Sequence, residues 1–382
     1  MVRLMLIFFV VYLGAASAYV LLALSRMRRL RTLPVPADTA QPPISVLKPV
    51  CGLDLDLYAN LRSFCHQAYP KFQVIFGVAD PADPAVPVIR QLLADLPEYD
   101  LALAIGGLSL GSNRKISNVA NCLKLAKYDL LVIADSDMRV TPDYLSQVGQ
   151  PFTRAEVGAA TCLYRGAAAD GLPSRLGAMF INEWFLPSVQ VALEFQKLRF
   201  CFGATMAVRR AVLDEIGGIA RLADELADDY MLGHLVAARG FEVALVPYLV
   251  ENVVHEDSFY NLVRHELRWA RTVRTAQPSG YSLSFLTYVM PAALGVAVLA
   301  PHLGLGIAAL VFASLLRMVM HRAARSILEI AGPPHYVLAV LRDFLCFGIW
   351  AASFFSRDVE WRGQTFTVDR HGQMELKEIT SR

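Results

Sequence analysis

The sequence predicts an α/β domain that is joined to membrane-spanning helices. Three observations support this fold class. Apolar runs with the length and β-branched content of strands alternate with helical patterns between residues 44 and 274. Hydrophobic residues make up 55% of the 382 residues and charged residues 18%, below the roughly 25% that is typical of soluble proteins. Long uncharged stretches lie near the beginning and near the end of the chain.

Composition also excludes several classes of function. The net charge is +2, and no dense basic tract lies outside the flanks of the apolar stretches, so we expect no nucleic-acid partner. The six cysteines are scattered, without a Cys-x-x-Cys spacing. A zinc site or a disulfide framework is therefore not expected. Reduced cysteines favour a cytoplasmic location for the globular part.

The first apolar stretch, Leu4–Leu24, is uncharged and long enough to span a bilayer. The residues that follow it include four arginines, Arg26, Arg28, Arg29 and Arg31. This flank is predicted to lie in the cytoplasm. A cleaved signal peptide is the alternative, but its apolar run would be shorter and its positive charge would come first. We therefore assign 1–25 to a transmembrane helix and 26–43 to a basic flank and linker.

The region 44–280 is predicted to be one cytoplasmic domain of alternating strands and helices. The expected strands are Ile44–Val50, Phe72–Ala79, Leu101–Ile105, a strand from Leu130, Val157–Tyr164, Ala204–Val208 and Val243–Pro247. The expected helices are Leu53–His66, Pro84–Leu96, Asn118–Ala126, Leu176–Leu193 and Tyr230–Ala238. The alternation predicts βαβ units and a mostly parallel sheet. The helix Leu176–Leu193 is almost uncharged, and it lies either on a membrane surface, which we favour, or in the core.

The region 281–356 is predicted to contain the other apolar helices. No Asp, Glu, Lys or Arg occurs from Tyr281 to Leu316, and Pro301–Gly304 interrupts this run. The pattern predicts a hairpin of two spans, Leu283–Ala300 and Leu303–Met320.

A third apolar stretch, Leu338–Phe355, contains Arg342 and Asp343. It is either a span with an internal ion pair, a re-entrant segment or an interfacial helix. The tail 357–382 is polar, and Trp361-Arg362-Gly363 is expected to form a small strand or a turn.

Two carboxylates follow the strand that begins at Leu130. Asp135 and Asp137 lie two residues apart, a spacing that points both side chains to the same side of an extended backbone. Paired carboxylates suit Mg²⁺ or Mn²⁺, and such a cation neutralises a leaving diphosphate. The alternative is that these residues only open a turn. Asp80 also follows a strand, and its carboxylate can accept a hydrogen bond from a nucleoside or cap a turn.

Two further motifs carry charge at predicted helix starts. In Gly111–Asn118, Arg114 and Lys115 can meet phosphate at a helix N-terminus, or the segment is a capped, solvated loop. Asp228 and Asp229 precede an apolar helix, where a carboxylate can serve as a general base or as a helix cap.

The last motif is His265-Glu266-Leu267-Arg268-Trp269. On a helix, Arg264, Arg268 and Arg271 share one face, and arginine is suited to bidentate contact with a diphosphate. The alternatives are a Trp belt at the membrane surface and arginines that mark the cytoplasmic side.

Together these motifs resemble the inverting, membrane-bound glycosyltransferases of the GT-A fold, in the ceramide glucosyltransferase-like group. Within that group the chain is most similar to the hopanoid biosynthesis-associated glycosyltransferases. The resemblance covers nearly the whole chain. It rests on residues 45–49, Asp80, 113–118, 134–137, 201–205, 226–230, Arg268 and Trp269. One departure is His265, which stands where the family's Gln-x-x-Arg-Trp type of motif has Gln or Arg.

The resemblance implies a role for each matched residue. Asp80 would bind uridine, Asp135 and Asp137 the metal, and Asp229, rather than Asp228, would be the general base. Asn113, Lys115, Asp135 and Arg268 would contact the donor, and Arg268 and Trp269 would close over the diphosphate and the acceptor.

The implied reaction is a metal-dependent, inverting transfer with Mg²⁺ or Mn²⁺ as cofactor. The donor would be UDP-N-acetylglucosamine and the acceptor a lipid such as bacteriohopanetetrol. The protein would lie in the bacterial inner membrane with its catalytic domain in the cytoplasm. Transfer from UDP-glucose to ceramide is the alternative. A processive polysaccharide synthase would need more spans, and a catalytically dead scaffold would be expected to lack a motif acid.

Overall fold

The computed structural model describes residues 1–32, 41–107, 109–361, 364–370 and 372–377. Parts of three predicted segments lie outside the described residues. They are positions 33–40 of the linker, Arg362 and Gly363 of the expected turn in the tail, and the last five residues, 378–382.

The described residues form eleven strands and fourteen α-helices. The strands are β1 Ile44–Val50, β2 Phe72–Val78, β3 Leu101–Ile105, β4 Leu130–Ile133, β5 Met138–Arg139, β6 Val157–Ala168, β7 Met206–Arg209, β8 Glu242–Val254, β9 Asp358–Trp361, β10 Gln364–Val368 and β11 Met374–Leu376. The helices are α1 Val2–Met27, α2 Leu57–Cys65, α3 Ala85–Asp95, α4 Arg114–Leu123, α5 Tyr144–Gly149, α6 Leu172–Phe180, α7 Leu186–Phe195, α8 Arg210–Glu215, α9 Asp228–Ala238, α10 Phe259–Ala276, α11 Pro278–Leu283, α12 Val289–Leu299, α13 Leu303–Ile327 and α14 Tyr336–Ala352.

The chain divides into two compact units, which we describe separately. The helical unit consists of Met1–Thr32, Gly166–Gln196 and Glu256–Thr365. The sheet unit consists of Leu33–Arg165, Lys197–His255 and Phe366–Arg382.

The sheet unit is built on a mixed sheet whose eight described strands have the order β3-β2-β1-β4-β7-β6-β8-β5. The first four strands are parallel, as the βαβ alternation predicts. The expectation of a mostly parallel sheet is wrong for the other half, where β7 runs antiparallel to both β4 and β6, and β5 runs antiparallel to β8. After β4 the chain no longer returns through a regular crossover helix, so parallel pairing is not imposed.

The parallel strands β1, β2 and β4 are buried on both faces, which explains their mostly apolar sequence, whereas β3 at the edge of the sheet is partly buried. All seven residues of β1 are buried. Val46 and Val132 belong to the hydrophobic cluster on one side, and Leu47 and Leu131 belong to a second cluster. Because the sheet is held on both faces, the carboxyl ends of β1, β2 and β4 are fixed relative to one another.

The helical unit contains the apolar helices. Among the described residues, three helices are long and apolar enough to cross a membrane, Val2–Leu30, Leu303–Ile327 and Tyr336–Phe355. The first arm of the expected hairpin is not one straight helix, because the helix pair Pro278–Thr287 and Val289–Leu299 is bent by 57°. The break falls at Tyr288, whose backbone is extended.

The segment predicted as the helix Leu176–Leu193 forms α6, a π-helical turn at Ile181–Phe185, and α7. Its middle does not face outward as we expected, since Trp184 is 8% exposed and Leu186 is fully buried. The wider π-helical turn reorients the side chains in the middle of the segment.

Candidate active site

The two carboxylates of the Asp135-Ser136-Asp137 motif lie just beyond the end of β4. Asn252 on β8 donates a hydrogen bond from Nδ2 to Oδ2 of Asp137 at 2.9 Å. Desolvation and the negative charges of Asp135 and Asp54 together raise the pKa of Asp137 to about 7. Negative charge therefore predominates around the Asp137 carboxylate.

Lys115, in the first turn of α4, joins this motif to the acidic pair at the start of α9. Its Nζ lies 2.9 Å from Oδ1 of Asp135 and 3.0 Å from Oδ2 of Asp228. Burial works against the charge of Lys115, but the carboxylates of Asp135, Asp228 and Asp229 outweigh it and raise its pKa. Lys115 therefore stays protonated and connects three elements of the sheet unit.

Asn113 fixes the start of α4 and thereby the position of Lys115. Its Oδ1 accepts a hydrogen bond from the backbone N–H of Ile116 at 3.1 Å, an N-cap that begins the helix four residues before the predicted Asn118. Its Nδ2 donates to the carbonyl oxygen of Glu225 at 2.9 Å. Asn113 is fully buried, so in this structure its amide is engaged by the protein itself.

The loop before α4 lies directly against the segment that precedes α9. The backbone N–H of Asn113 donates to the carbonyl oxygen of Ala223 at 2.7 Å, and that of Ser112 donates to Oδ1 of Asp224 at 2.8 Å. A Cβ on Gly111 would lie 2.5 Å from the same Oδ1 and 2.8 Å from the carbonyl oxygen of Ala223. Glycine is therefore required at position 111 for this close approach.

The other side of the segment before α9 is held by a hairpin near the end of the chain. Strands β10 and β11 pair antiparallel from Phe366 with Leu376 to Val368 with Met374. The N–H of Leu226 donates to the carbonyl oxygen of Gly372 at 3.0 Å, and the N–H of Met374 donates to that of Asp224 at 2.8 Å. We predicted only a polar tail here.

Asp228 and Asp229 are the first two residues of α9, and their side chains have different surroundings. Asp228 is 6% exposed and forms the ion pair with Lys115. Oδ1 of Asp229 accepts a hydrogen bond from the N–H of Tyr230 at 2.7 Å. Burial and the charge of Asp228 raise the pKa of Asp229 to about 6, and the charge of Lys115 opposes that rise.

Gly203 marks the point where these groups converge. A Cβ at this position would lie 3.0 Å from Oδ2 of Asp135, 3.4 Å from Oδ2 of Asp229 and 3.7 Å from Nζ of Lys115. The absence of a side chain at Gly203 lets its backbone lie close to two carboxylates and one ammonium group.

The donor atoms of Asp135 and Asp137 fit a hard divalent cation. Mg²⁺ and Mn²⁺ prefer oxygen ligands, and such ions are often held by one or two carboxylates together with phosphate oxygens and water. Within the described ranges, no group of three or more His, Cys, Asp and Glu side chains is arranged to hold a metal. A cation bound by the Asp135 and Asp137 carboxylates would therefore take its remaining ligands from the substrate and water.

Asp80 follows β2 and is exposed. Its Oδ1 accepts a hydrogen bond from the N–H of Ala82 at 2.8 Å, so it caps the turn that ends the strand. Because β1 lies between β2 and β4, Asp80 and Asp135 follow two strands that flank a common neighbour.

Sequence reasoning missed three residues near the carboxylate pair, Lys48, Asp54 and Asn252. Lys48 on β1 is fully buried, donates a hydrogen bond to the carbonyl oxygen of Asp135 and lies 3.6 Å from the centroid of the Phe64 ring. Burial lowers the pKa of Lys48 to about 7. Asp54 accepts a hydrogen bond from the hydroxyl of Ser136. A lysine inside an apolar strand is a sequence signal that could have identified Lys48, whereas no comparable signal marks Asp54.

The helical unit carries Arg268 and Trp269 on α10. The guanidinium of Arg268 lies 5.7 Å from the centroid of the Trp361 ring. The ring of Trp269 lies 4.3 Å from that of His265, and Nδ1 of His265 lies 2.7 Å from Oε1 of Glu256.

The other arginines of α10 bind the segment that follows the last apolar helix. Arg264 forms an ion pair with Glu360, and Arg271 donates to the carbonyl oxygen of Asp358. Arg264 and Arg271, which were predicted to share one face with Arg268, are therefore engaged within the helical unit.

Comparison with known proteins gives consistent results. The family described as Glycosyl transferase family 21 matches residues 7–374. Ceramide glucosyltransferase 3 of Caenorhabditis elegans is 23% identical over 348 residues, covering 89% of this chain and 76% of that protein. The ceramide glucosyltransferase of Komagataella phaffii is 30% identical over 146 residues, covering 37% of this chain and 28% of that protein.

A solved structure is similar over nearly the whole chain. It is the mannosyltransferase PcManGT from Pyrobaculum calidifontis in complex with GDP-Man and Mn²⁺. Its TM-score is 0.55 at 18% identity, and the match covers 93% of this chain and 99% of the other.

Proposed function

The chain belongs to glycosyl transferase family 21 and has a GT-A fold, and we propose that it glycosylates a lipid in the membrane. The observation that carries this proposal is the convergence of Asp135, Lys115 and Asp229 around Gly203. A partly buried carboxylate close to an ammonium group is suited to remove a proton from an acceptor hydroxyl.

The proposed reaction is a single displacement with inversion. Asp229 takes the proton of the lipid hydroxyl, whose oxygen forms a bond to the anomeric carbon of a UDP-sugar. The bond from that carbon to the diphosphate oxygen breaks, and UDP leaves with the electron pair. The ammonium group of Lys115 lies where it can offset this negative charge.

We assign the remaining roles by the match to the family motifs. Asp135 and Asp137 would hold Mg²⁺ or Mn²⁺, which neutralises diphosphate charge when bound. The complex of the mannosyltransferase PcManGT with Mn²⁺ supports a divalent cation. Asp80 and Asn113 are assigned to donor binding, and Asn113 acts there through Lys115. Arg268 and Trp269 are assigned to binding of the diphosphate and the acceptor.

The favoured substrates are UDP-N-acetylglucosamine and a bacteriohopanetetrol-type hopanoid, by the resemblance of the motifs. The second candidate pair is UDP-glucose and ceramide, which the names of the relatives favour. The three apolar helices support a location in a membrane, and the arginines after Leu24 support a cytoplasmic catalytic domain in the bacterial inner membrane.

The test is a transfer assay in detergent micelles with Mg²⁺ or Mn²⁺. Each labelled UDP-sugar is paired with bacteriohopanetetrol or ceramide, and the Asp137→Ala protein serves as the control. N-Acetylglucosaminyl-hopanoid formed only by the unmodified protein is the expected result. Glucosylceramide would select the second pair, and neither product nor UDP release with any pair would overturn the proposed function.

A further inference from the structure

Asp224 lies in the segment that leads into α9, and the proposed mechanism does not use it. Its side chain is exposed, and its Oδ1 accepts a hydrogen bond from the backbone N–H of Ser112 at 2.8 Å. Ser112 lies in the loop before α4, 112 positions earlier in the chain. One side-chain hydrogen bond therefore joins two segments that are distant in the sequence, and each of them leads into a part of the candidate site.

The loop before α4 leads to the ammonium group of the site. Asn113 follows Ser112 and caps α4, and the first turn of this helix carries Lys115. The Nζ of Lys115 lies 2.9 Å from Oδ1 of Asp135. Because the helix begins at the loop, the position of the loop sets the position of this ammonium group.

The segment that contains Asp224 leads to the acidic pair of the site. Asp228 and Asp229 are the first two residues of α9. Nδ2 of Asn113 donates to the carbonyl oxygen of Glu225 at 2.9 Å and to Oδ1 of Asp228 at 3.3 Å. The loop and the segment are therefore joined both at Asp224 and at the start of the helix that carries the assigned general base.

The segment is held on its other side by the hairpin of β10 and β11. The N–H of Met374 donates to the carbonyl oxygen of Asp224 at 2.8 Å, and Glu225 pairs with Gln373 in an antiparallel bridge. Glu225 is buried. Because the hairpin fixes this side of the segment, the hydrogen bond from Ser112 to Asp224 fixes the loop relative to it.

We propose that Asp224 is a positioning residue of the transferase site, an inference that rests on the proposed function. Its carboxylate holds the loop before α4 against the segment before α9, so that Lys115 and Asp229 stay together near Gly203. Asp224 makes and breaks no bond in the reaction and acts only on this geometry. A displacement of catalytic groups by about 1 Å can cost about a hundredfold in rate.

A positioning role differs from a purely structural one in what it changes. The contribution of Asp224 to stability should be small, because its side chain is exposed and water can replace the hydrogen bond. In the proposed reaction Lys115 and Asp229 act on charges that develop in the transition state. Loss of the Asp224 carboxylate should therefore lower kcat, with little change in the KM for the donor or in the melting temperature.

The test uses the full chain in detergent micelles with the donor and lipid pair that gives transfer. Asp224→Ala removes the acceptor of the hydrogen bond, whereas Asp224→Asn keeps an acceptor oxygen on a side chain of the same size. Asp214→Ala, an exposed change on α8, is the matched control. The measured quantities are kcat, KM, the melting temperature and the deuterium uptake of the backbone amides of residues 111–118.

We expect Asp224→Ala to lower kcat about ten- to a hundredfold and to raise the deuterium uptake of residues 111–118. The KM for the donor should change by less than about threefold. Asp224→Asn should retain most of the activity, and Asp214→Ala should behave as the unmodified protein.

Gly111→Ala tests the same contact from the loop. Its Cβ would lie 2.5 Å from Oδ1 of Asp224 and 2.8 Å from the carbonyl oxygen of Ala223, so it should push the two segments apart. Because both substitutions disturb one contact, the double variant should lose less kcat than the product of the two single losses. Fully multiplicative losses would show that Gly111 and Asp224 act separately and would overturn the proposal.

A kcat of Asp224→Ala within about twofold of the unmodified protein would also overturn the proposal. So would equal losses in Asp224→Ala and Asp224→Asn, or a loss of kcat that is accompanied by a large fall in the melting temperature, which would assign Asp224 to stability. An unmodified protein without transfer for any pair would refute the proposed function and this inference with it. Active unmodified protein beside an unimpaired Asp224→Ala protein would refute this inference alone.

Discussion

The ammonium group of Lys115 lies 2.9 Å from Oδ1 of Asp135 and is thereby the link between α4 and the end of β4. The same group reaches Asp228, so one side chain compensates carboxylates from two parts of the sheet unit. Removing it leaves buried negative charges without a partner.

We therefore expect Lys115→Met to destabilise the protein by about 1–3 kcal/mol, between the costs for an exposed and for a buried ion pair, because the side chains of Lys115 and Asp135 are 15% and 33% exposed. Urea unfolding of the solubilised protein measures the change. Lys127→Met is the matched control, because Lys127 pairs with Asp100 on the surface, and it should have little effect. Equal effects of the two substitutions would contradict the role of Lys115 as the partner of the Asp135 and Asp228 carboxylates.

Asp229→Asn should abolish most of the transfer activity. An amide cannot accept the hydroxyl proton, and loss of a general base costs about 10²- to 10⁴-fold in rate. Asp214→Asn, an exposed change at the end of α8, should leave the rate unaltered. The measurement is the initial rate of transfer at saturating donor for both variants and the unmodified protein. A rate of Asp229→Asn within twofold of the unmodified protein would exclude Asp229 as the base.

The pH dependence of transfer should report the pKa of Asp229, which burial and Asp228 raise to about 6. The base works only when it is ionised, so kcat/KM should be constant above this pH and fall about tenfold per unit below it. Asp228→Asn removes the repelling charge and should move the acid limb to lower pH. Profiles of both proteins test this, and an acid limb that stays in place or rises would contradict it.

Gly203→Ala should crowd the carboxylates of Asp135 and Asp229. The new Cβ would lie 3.0 Å from Oδ2 of Asp135, so that carboxylate would have to shift from its present position. We expect weaker Mn²⁺ and UDP binding, measured by calorimetry, in a protein that melts normally. Gly280→Ala adds a Cβ in open space and is the control. Undiminished binding by Gly203→Ala would place the ligand elsewhere.

The parallel half of the sheet could be predicted because it follows from local sequence. β1 and β3 have the predicted bounds, Ile44–Val50 and Leu101–Ile105, because each is a short apolar run of strand length with polar or turn-forming residues on both sides. The second half could not, because the pairing of β7 with β4 joins segments far apart in sequence. The start of α4 was misplaced because the cap, Asn113, lies in a loop that tertiary contacts hold in position.

The candidate site could be predicted only where the residue types and their spacing in the sequence are recognisable by themselves. Paired aspartates after a strand identified Asp135 and Asp137 as candidates. The partners of Lys115 lie 20 and 113 positions along the chain, so their meeting is a property of the fold. Lys48 and Asn252 were missed because their roles consist of hydrogen bonds to Asp135 and Asp137, which only the fold brings about.

The hydrogen bonds of Gly372 and Met374 mean that the segment before α9 is supported by residues that are translated late. During synthesis these residues leave the ribosome only after α12, α13 and α14 have been made. The support of the Asp228-Asp229 segment is therefore completed last, after every apolar helix is available for insertion. A nascent chain halted before β10 would carry the two carboxylates without these hydrogen bonds.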